Sequence, residues 1–262
     1  LFFSIIFLKI SFGLLYIRPA EERTAFSLHP TLNNFFRLDD RNIRTSEWQY
    51  VREGLVVVQD PAFEAASLAL DPQPGERILE IGCAPGGKLL RMAELAGPTA
   101  EIIGIDYSES RLDLVHENLE RSGIDNVQLF FADGRDYSPG KSFDRVLVDP
   151  PCSSLGVIRR HPEIKLLRKE KDIKRLAELQ KQLAENAMHL VRPGGTLVWS
   201  TCTTEPEENQ EVVDHILTYG DFELVHPNIS GFEQFTKGPF IQTLPTDPAF
   251  DGAFVAVLRR KS

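Results

Sequence analysis

The chain of 262 residues is long enough for one α/β domain with a smaller appended unit, and its 42% hydrophobic and 26% charged residues are ordinary for a globular protein. Twenty-nine lysines and arginines against 38 aspartates and glutamates give a net charge of −9, which excludes a uniformly basic nucleic-acid-binding surface but permits a local basic patch. Three cysteines without paired spacing predict neither a disulfide framework nor a zinc site, and they suit a reducing, cytoplasmic environment.

The first segment, residues 1–17, is almost wholly apolar and is interrupted by Lys9. Its length approaches the roughly 20 apolar residues of a membrane span, but it lacks the basic start and the small-residue cleavage site of a signal peptide. Because the chain starts at Leu1, truncation or a misassigned start is the favoured interpretation. A buried helix and a membrane anchor stay open as alternatives. Residues 18–53 are interpreted as the remnant of an N-terminal subdomain, and residues 54–262 as the main domain.

From residue 55 onward, short β-branched runs alternate with helical patterns. Strands are predicted at 55–58, 77–81, 101–105, 127–131, 143–148, 196–200, 222–225 and 253–258, and helices at 62–70, 88–96, 110–122, 171–190 and 206–218. Strands that alternate with helices in this way predict an α/β fold with a parallel, doubly wound sheet.

A glycine-rich loop follows the strand at 77–81 and opens a helix. It is neither GxxxxGK[ST] nor GxGxxG, which disfavours a nucleotide phosphate cradle and a dinucleotide site. Asp106 ends the next strand, where a carboxylate can accept hydrogen bonds from both hydroxyls of a ribose. Asp133 follows the third strand, where it can accept one from the exocyclic amine of an adenine. A single strand-end aspartate is more often a turn residue, but together these features predict a nucleoside ligand such as S-adenosylmethionine.

Two cysteines follow two further strands, Cys152 in Asp-Pro-Pro-Cys and Cys202 in Ser-Thr-Cys-Thr. Ligands bind at the carboxyl ends of strands in open α/β sheets, and neighbouring strands lie about 4.8 Å apart, so both thiols are expected to face one pocket. A thiolate can add to carbon 6 of a pyrimidine ring, which makes carbon 5 electron-rich enough to accept a methyl group. A lone cysteine is more often structural, and the side chain of Cys83 is interpreted in that way.

Residues 54 to about 260, which carry these motifs, resemble the RsmB/Sun-type RNA cytosine carbon-5 methyltransferases. The resemblance depends on EIGCAPGGK, the strand-end aspartates, DPPCSSLGVIRRHPEIK and STCTTEPEEN. It implies a Rossmann-like methyltransferase sheet, mostly parallel, of about seven strands with the last antiparallel. It also implies S-adenosylmethionine as the cofactor and RNA, foremost rRNA, as the partner. Neither a metal, nor DNA, nor a membrane partner is expected, and the protein is expected to be a monomer.

The resemblance assigns cofactor contacts at the carboxyl ends of the strands. Asp106 would contact the ribose, Asp133 would lie near the adenine, and Asp149 would lie between the methionine end and the target base. The remaining cofactor-binding residues would be those of the loop: Gly82, Cys83, Ala84, Pro85, Gly86, Gly87 and Lys88.

The resemblance also assigns the chemistry. Cys202 would be the nucleophile, Cys152 would assist proton removal and product release, and Lys88 would steady the base or the loop after the fourth strand. The chain departs from the family pattern at Pro150, where alanine is usual, and at Leu89, where threonine is usual. The N-terminal RNA-binding domain of the bacterial relatives has no counterpart in this sequence, which leaves the RNA target open.

A basic stretch follows Cys152. Residues 159–175 contain eight lysines and arginines against three acids, a local charge of +5. A solvated helix face would explain it, but its place on the rim of the expected pocket favours contact between RNA phosphates and Arg159, Arg160 and Lys165.

Two other functions stay open. An amino-group methyltransferase usually has an aromatic residue after Asp-Pro-Pro, where this chain has a cysteine that cannot stack on a base. A catalytically inactive RNA-binding or assembly module is disfavoured by the intact cysteine pair.

Overall fold

The computed structural model describes residues 6–10, 26–29, 31–32, 35–38, 44 and 47–262. Within these ranges an antiparallel sheet precedes the main domain, in the order β2-β3-β1-β4. Its strands are β1 (Ile6–Ile10), β2 (Phe26–Leu28), β3 (Phe35–Leu38) and β4 (Val56–Val58).

The strand β1 lies inside the apolar N-terminal segment and pairs with β3 and β4. The described part of that segment is therefore an extended strand, and the interpretation of a buried helix is wrong for residues 6–10. The rest of residues 1–17 lies outside the described residues. No helix in the described part of the chain is long and apolar enough to cross a lipid bilayer.

The main sheet has the order β11-β12-β13-β9-β8-β5-β6-β7 in the described chain, with β10 also paired to β13. Five neighbours, β9, β8, β5, β6 and β7, run parallel, and β13 joins β9 antiparallel. The strands are β5 (Arg77–Ile81), β6 (Glu101–Asp106), β7 (Val127–Phe131), β8 (Phe143–Val148), β9 (Val191–Thr201), β10 (Phe222–Val225), β11 (Thr236–Lys237), β12 (Phe240–Thr243) and β13 (Ala253–Arg260).

Helices α2, α3, α4, α6 and α7 cover the two faces of this sheet. The helices of the described chain are α1 (Gln49–Arg52), α2 (Glu64–Leu70), α3 (Gly87–Ala96), α4 (Glu109–Arg121), α5 (Ile164–Leu167), α6 (Glu170–Leu190) and α7 (Gln210–Thr218). Successive side chains of a strand point to opposite faces. Ile78 accordingly packs into the core that includes residues of α2, α3 and α4, and Leu79 into the core that includes residues of α6 and α7.

The α/β fold with its doubly wound, mostly parallel sheet is thus confirmed, with differences at the C-terminal edge. The strands β11 and β12 were not predicted, since each is short and they alternate only weakly between apolar and polar residues. The last predicted helix begins at Gln210 and not at Pro206, because Pro206–Glu208 forms a separate 3₁₀ turn. The carboxyl ends of β5, β6, β7, β8 and β9 meet at one edge, where the predicted site residues lie.

Candidate active site

The loop between β5 and α3 is tied to two neighbouring strands through its backbone. Gly82 has a φ of +80°, and a Cβ there would lie 2.2 Å from the carbonyl oxygen of Asp149, so only glycine fits. The N–H groups of Gly82 and Cys83 donate to the carbonyl of Ile105 over 2.9 and 3.1 Å. These contacts bring the ends of β5, β6 and β8 together around one space.

Two side chains of α4 hold the outer part of the same loop. Arg111 donates to the carbonyl of Ala84 over 2.6 Å, and Asn118 donates to the carbonyl of Pro85 over 2.8 Å. The whole stretch from Gly82 to Lys88 lines one wall of the cavity. Its contact with a cofactor stays a prediction.

Asp106 ends β6 with its carboxylate almost completely buried, at 1% exposure. Its oxygens accept hydrogen bonds from the N–H groups of Ala84 and Ser108 over 3.3 and 3.1 Å, and Arg111 lies 3.4 Å away. The carboxylate is therefore held at the cavity wall, next to the glycine loop. The contact to a ribose stays a prediction.

Asp133 follows β7 and also lines the cavity, but its carboxylate already has a partner. Both of its oxygens accept hydrogen bonds from the guanidinium of Arg135, at distances of 2.5–3.0 Å. These bonds hold the pKa of Asp133 below its ordinary value. An adenine amine would therefore meet a carboxylate that is ionised and fixed in direction, and that contact stays a prediction.

The centre of the cavity holds an ion pair between Lys88 and Asp149, with 2.6 Å between Nζ and Oδ2. Burial by itself lowers the pKa of Lys88, but the carboxylates of Asp149 and Glu80 outweigh it and raise the pKa above its ordinary value. Glu80 is buried in β5, and this burial raises its pKa well above the usual range. The site thus places the Lys88–Asp149 ion pair beside a glutamate whose burial disfavours ionisation.

Cys152 and Cys202 meet at the far side of the same cavity, with their sulfurs 3.1 Å apart. The hydrogen bond from Cys152 lowers the pKa of Cys202, and it does so against the effect of burial. The same contact, together with burial, raises the pKa of Cys152 well above that of a free thiol. The pair is therefore asymmetric: the contact favours ionisation of Cys202 and the protonated form of Cys152. Sequence reasoning correctly placed the two thiols in one pocket.

The loop after Cys152 packs against the end of β9, next to Cys202. Ser154 has a φ of +63°, which turns its hydroxyl to within 3.6 Å of the Cys202 sulfur. Gly156 donates its N–H to the carbonyl of Cys202 over 2.9 Å, and a Cβ on Gly156 would lie 2.2 Å from the carbonyl of Gly252. This contact explains a glycine at position 156 and fixes the two strand exits against each other.

The basic stretch divides into inward-facing and outward-facing cations. Arg160 pairs with the buried carboxylates of Asp60 and Asp251, and Arg159 lies 3.1 Å from Asp251. Both guanidiniums thus form ion pairs inside the protein. These ion pairs account for the two arginines without any contact to RNA phosphates. Lys165, in contrast, is exposed on α5. Contact of these three residues with RNA stays a prediction.

Several cavity residues were not assigned from the sequence. Glu80 lies in β5 within the EIG motif, and the sequence alone does not show that this glutamate is buried at the cavity wall. Arg168 donates to the carbonyl of Ser153 over 3.0 Å and lines the cavity near Cys152. Its helical neighbourhood in the sequence gave no sign that it reaches the loop of Cys152.

With this geometry established, comparison with known proteins identifies the family. A family model described as 16S rRNA methyltransferase RsmB/F matches residues 67–259. The chain belongs to this family. Ribosomal RNA small subunit methyltransferase B of Salmonella paratyphi A is 40% identical over 213 residues, which are 80% of this chain and 48% of that protein. The chain therefore spans about half the length of the curated relatives it matches.

Solved structures give the same result for the fold. A methyltransferase homologue from Pyrococcus horikoshii superposes with a TM-score of 0.80 at 28% identity, covering 98% of this chain and 86% of the other. NSun6 from Pyrococcus horikoshii gives a TM-score of 0.85 at 21% identity, covering 98% and 91% of the two chains. At that identity the second likeness shows the fold alone. The RsmB/F fold is thus a Rossmann-like methyltransferase fold over the matched residues.

S-adenosylmethionine is the cofactor of the RsmB/F family, and the cavity fits it. The cavity measures about 1270 Å³, more than the roughly 300–1,000 Å³ that commonly holds one small ligand. It therefore has room for a cofactor and a base together. Buried Glu80 leaves its Oε2 without a hydrogen-bond partner among the described residues, beside the glycine loop. Such an orphaned acceptor suits the amino group at the methionine end.

Proposed function

We propose that this chain transfers a methyl group from S-adenosylmethionine to carbon 5 of a cytosine in RNA, through a covalent bond between Cys202 and the base. The observation that carries the proposal is the asymmetric cysteine pair in the cofactor cavity. Small-subunit rRNA is the substrate class to test first, because the family and the relatives at 40% identity are described by it. We also propose that the protein is located in the cytoplasm.

The first step is attack of the Cys202 thiolate on carbon 6 of the cytosine. A new sulfur–carbon bond forms, and the electron pair of the carbon 5–carbon 6 double bond becomes available at carbon 5. The lowered pKa of Cys202 supports this role, since the thiolate is the reactive form. The Lys88 cation nearby also favours that thiolate, whereas the Asp149 carboxylate opposes it.

The Lys88–Asp149 ion pair supports selection of the base. An aspartate carboxylate accepts a hydrogen bond from the exocyclic amine of cytosine, whereas uracil presents an oxygen at the same place. Lys88 holds Asp149 at 2.6 Å and also lies 5.1 Å from the ring centroid of Phe63. The carboxylate is therefore oriented by its partner before a base arrives.

When bound, S-adenosylmethionine would supply the methyl group to carbon 5, with its sulfonium sulfur keeping the electron pair of the broken S–CH3 bond and leaving as S-adenosylhomocysteine. Cys202 is then a thioether without charge, so the largest of the effects that raise the pKa of Cys152 is lost, while those of burial and Glu208 remain. Cys152 can then give its proton to solvent in the open cavity. As a thiolate it takes the proton from carbon 5, the double bond re-forms, and the electron pair of the sulfur–carbon bond returns to Cys202. The regenerated Cys202 thiolate again receives a hydrogen bond from Cys152.

The rim of the cavity supports RNA as the carrier of that base. Arg168 and Arg175 line the cavity, and Lys165, Lys169 and Lys171 are exposed beside them. Clustered cations of this kind bind phosphates without reading sequence. Because Arg159, Arg160 and Arg168 have internal partners, we assign phosphate contact chiefly to the exposed Lys165, Lys169, Lys171 and Arg175.

The test is methyl transfer from radiolabelled S-adenosylmethionine to transcripts of small-subunit rRNA and, for comparison, tRNA. Digestion to nucleosides followed by mass spectrometry identifies the methylated atom, and bisulfite sequencing locates the cytosine. We expect 5-methylcytidine in rRNA. Label in an exocyclic N-methyl group would show an amino-group methyltransferase instead. RNA binding without any transfer would show an inactive binding module.

A further inference from the structure

A buried glutamate and glutamine hold the backbone on both sides of Cys152. Glu208, at the end of the 3₁₀ turn before α7, is 0% exposed. Its Oε2 accepts hydrogen bonds from the N–H of Ser153 and from the side-chain amide of Gln180, both over 2.8 Å. Gln180, 0% exposed on α6, also donates to the carbonyl of Pro151 over 2.9 Å. The peptide groups that flank Cys152 are thereby fixed from two different elements.

The same turn is tied to the residues that flank Cys202. Asn209 accepts from the hydroxyl of Thr201 over 2.5 Å and donates to the carbonyl of Thr203 over 3.0 Å. The hydroxyls of Thr203 and Ser153 lie 2.6 Å apart. The turn before α7 thus contacts the chain next to both sulfurs, which lie 3.1 Å apart.

From these contacts we propose that Glu208 and Gln180 are positioning residues, which hold Cys152 over Cys202 for the release step of the proposed function. Packing alone does not account for them, because a buried carboxylate and amide cost free energy that apolar side chains would not. Oε1 of each lacks a hydrogen-bond partner among the described residues. The side-chain atoms of Glu208 and Gln180 that do form hydrogen bonds contact the loop around Cys152 or each other.

The charge of Glu208 adds a second effect to the positioning. It raises the pKa of Cys152, alongside the larger effects of Cys202 and burial. In the free enzyme Glu208 therefore favours the protonated form of Cys152, so its charge opposes the deprotonation that release requires, whereas its hydrogen bonds position the thiol. Position and protonation state are separable, since glutamine keeps the shape of glutamate without its charge.

Replacing Glu208 by alanine removes both acceptor bonds and should displace Cys152. A displacement of about 1 Å can slow a catalytic step by about 10²-fold, so we expect Glu208→Ala to accumulate a denaturation-resistant protein–RNA adduct. S-adenosylmethionine affinity, measured by calorimetry, should stay at the wild-type value. Gln180→Met is the second variant, and it should give the same adduct if Glu208→Ala fails to fold. The matched control is Glu207→Gln, the partly exposed neighbour, which should give no adduct.

A second measurement needs no RNA. The pH dependence of iodoacetamide alkylation is followed for each cysteine of the full chain by peptide mass spectrometry. Glu208→Gln removes a negative charge, which lowers the pKa of Cys152, so the midpoint for Cys152 should move to lower pH. Glu207→Gln should leave it in place. A purely structural role of Glu208 would not move this midpoint in a folded variant.

The two measurements separate the inference from the proposed function. If neither wild type nor Cys152→Ala forms an adduct or methylates RNA, the proposed function fails, while the alkylation profile still decides whether Glu208 controls Cys152. If Cys152→Ala forms the adduct but the folded Glu208 and Gln180 variants do not, positioning is overturned. An unmoved Cys152 midpoint in Glu208→Gln overturns the electrostatic part.

Discussion

The two sides of the cavity are built in different ways. The cofactor side, comprising Gly82–Lys88 and Asp106, is formed by two consecutive strand–turn–helix units of the chain. The cysteine side comprises Cys152 and Cys202, which lie 50 residues apart and are held by further residues from other elements. The first side is fixed by local backbone geometry, and the second by side-chain contacts over long sequence distances. Single substitutions should therefore weaken binding on the cofactor side and stop the chemistry on the cysteine side.

Loss of the nucleophile is the largest expected effect. Cys202→Ala should lower methyl transfer by roughly 10⁴-fold or more, because removal of a covalent nucleophile has effects of that order or larger. Transfer of radiolabelled methyl groups to RNA measures it. Thr204→Ala, two residues away and partly buried, is the matched control and should keep activity. Near-normal transfer by Cys202→Ala would exclude Cys202 as the nucleophile.

Cys152→Ala should separate attack from release. Without the residue assigned to proton removal, turnover should fall by about 10²–10⁴-fold, the usual contribution of an acid–base group. The covalent protein–RNA adduct should accumulate and show as a gel shift that resists denaturation. The adduct should be absent when Cys202 is also replaced. An adduct with Cys202→Ala alone would reverse the two roles.

On the cofactor side, Asp106→Ala should weaken S-adenosylmethionine binding by roughly 10- to 100-fold, because a hydrogen bond to a charged group contributes about 1.5–3 kcal/mol. Calorimetry measures this, and thermal melting verifies that the variant is folded. Asp113→Ala, exposed on α4, is the control. An unchanged affinity would contradict the ribose contact. If Asp106→Ala instead lowers methyl transfer at saturating S-adenosylmethionine, Asp106 contributes to the chemical step and not only to cofactor binding.

The smallest effect concerns the buried ion cluster behind the cysteine side. Burial and the nearby Asp60 raise the pKa of Asp251 from 3.8 to about 6. The folded state then binds the proton more tightly than the unfolded state, so this stabilisation is complete below the unfolded pKa and is lost as pH rises through about 6. Relative to Asp251→Asn, the wild-type melting temperature should therefore fall by several degrees between about pH 4 and pH 7, because each ~1 kcal/mol moves the melting temperature of a chain of this size by about 2–4 °C. A parallel pH course of the two melting curves would contradict the raised pKa.

The strand exits were predictable and the internal ion pairs were not. Asp106 and Cys202 follow apolar runs that end abruptly, and parallel strands bring such ends to one edge whatever the detailed packing. For Arg159 and Arg160 the sequence instead predicts a basic rim of the cavity, since a charge pattern does not show whether a side chain points inward or outward. Their buried partners lie far along the chain, 92 residues away for Arg159–Asp251 and 100 for Arg160–Asp60. Only the folded chain shows that these two cations face inward.

The sequence by itself determined the fold class, the cofactor loop and the meeting of two cysteines, because these follow from local periodicity and from the geometry of parallel strands. The tertiary structure added the asymmetry of the pair, since the lowered pKa of Cys202 and the raised pKa of Cys152 depend on the 3.1 Å contact between the sulfurs and on burial. It also brought in Glu208 and Gln180, whose role depends on hydrogen bonds to residues 28 to 55 positions away. The pKa of a thiol and the orientation of a buried carboxylate depend on neighbours in space, and only the fold brings those neighbours together.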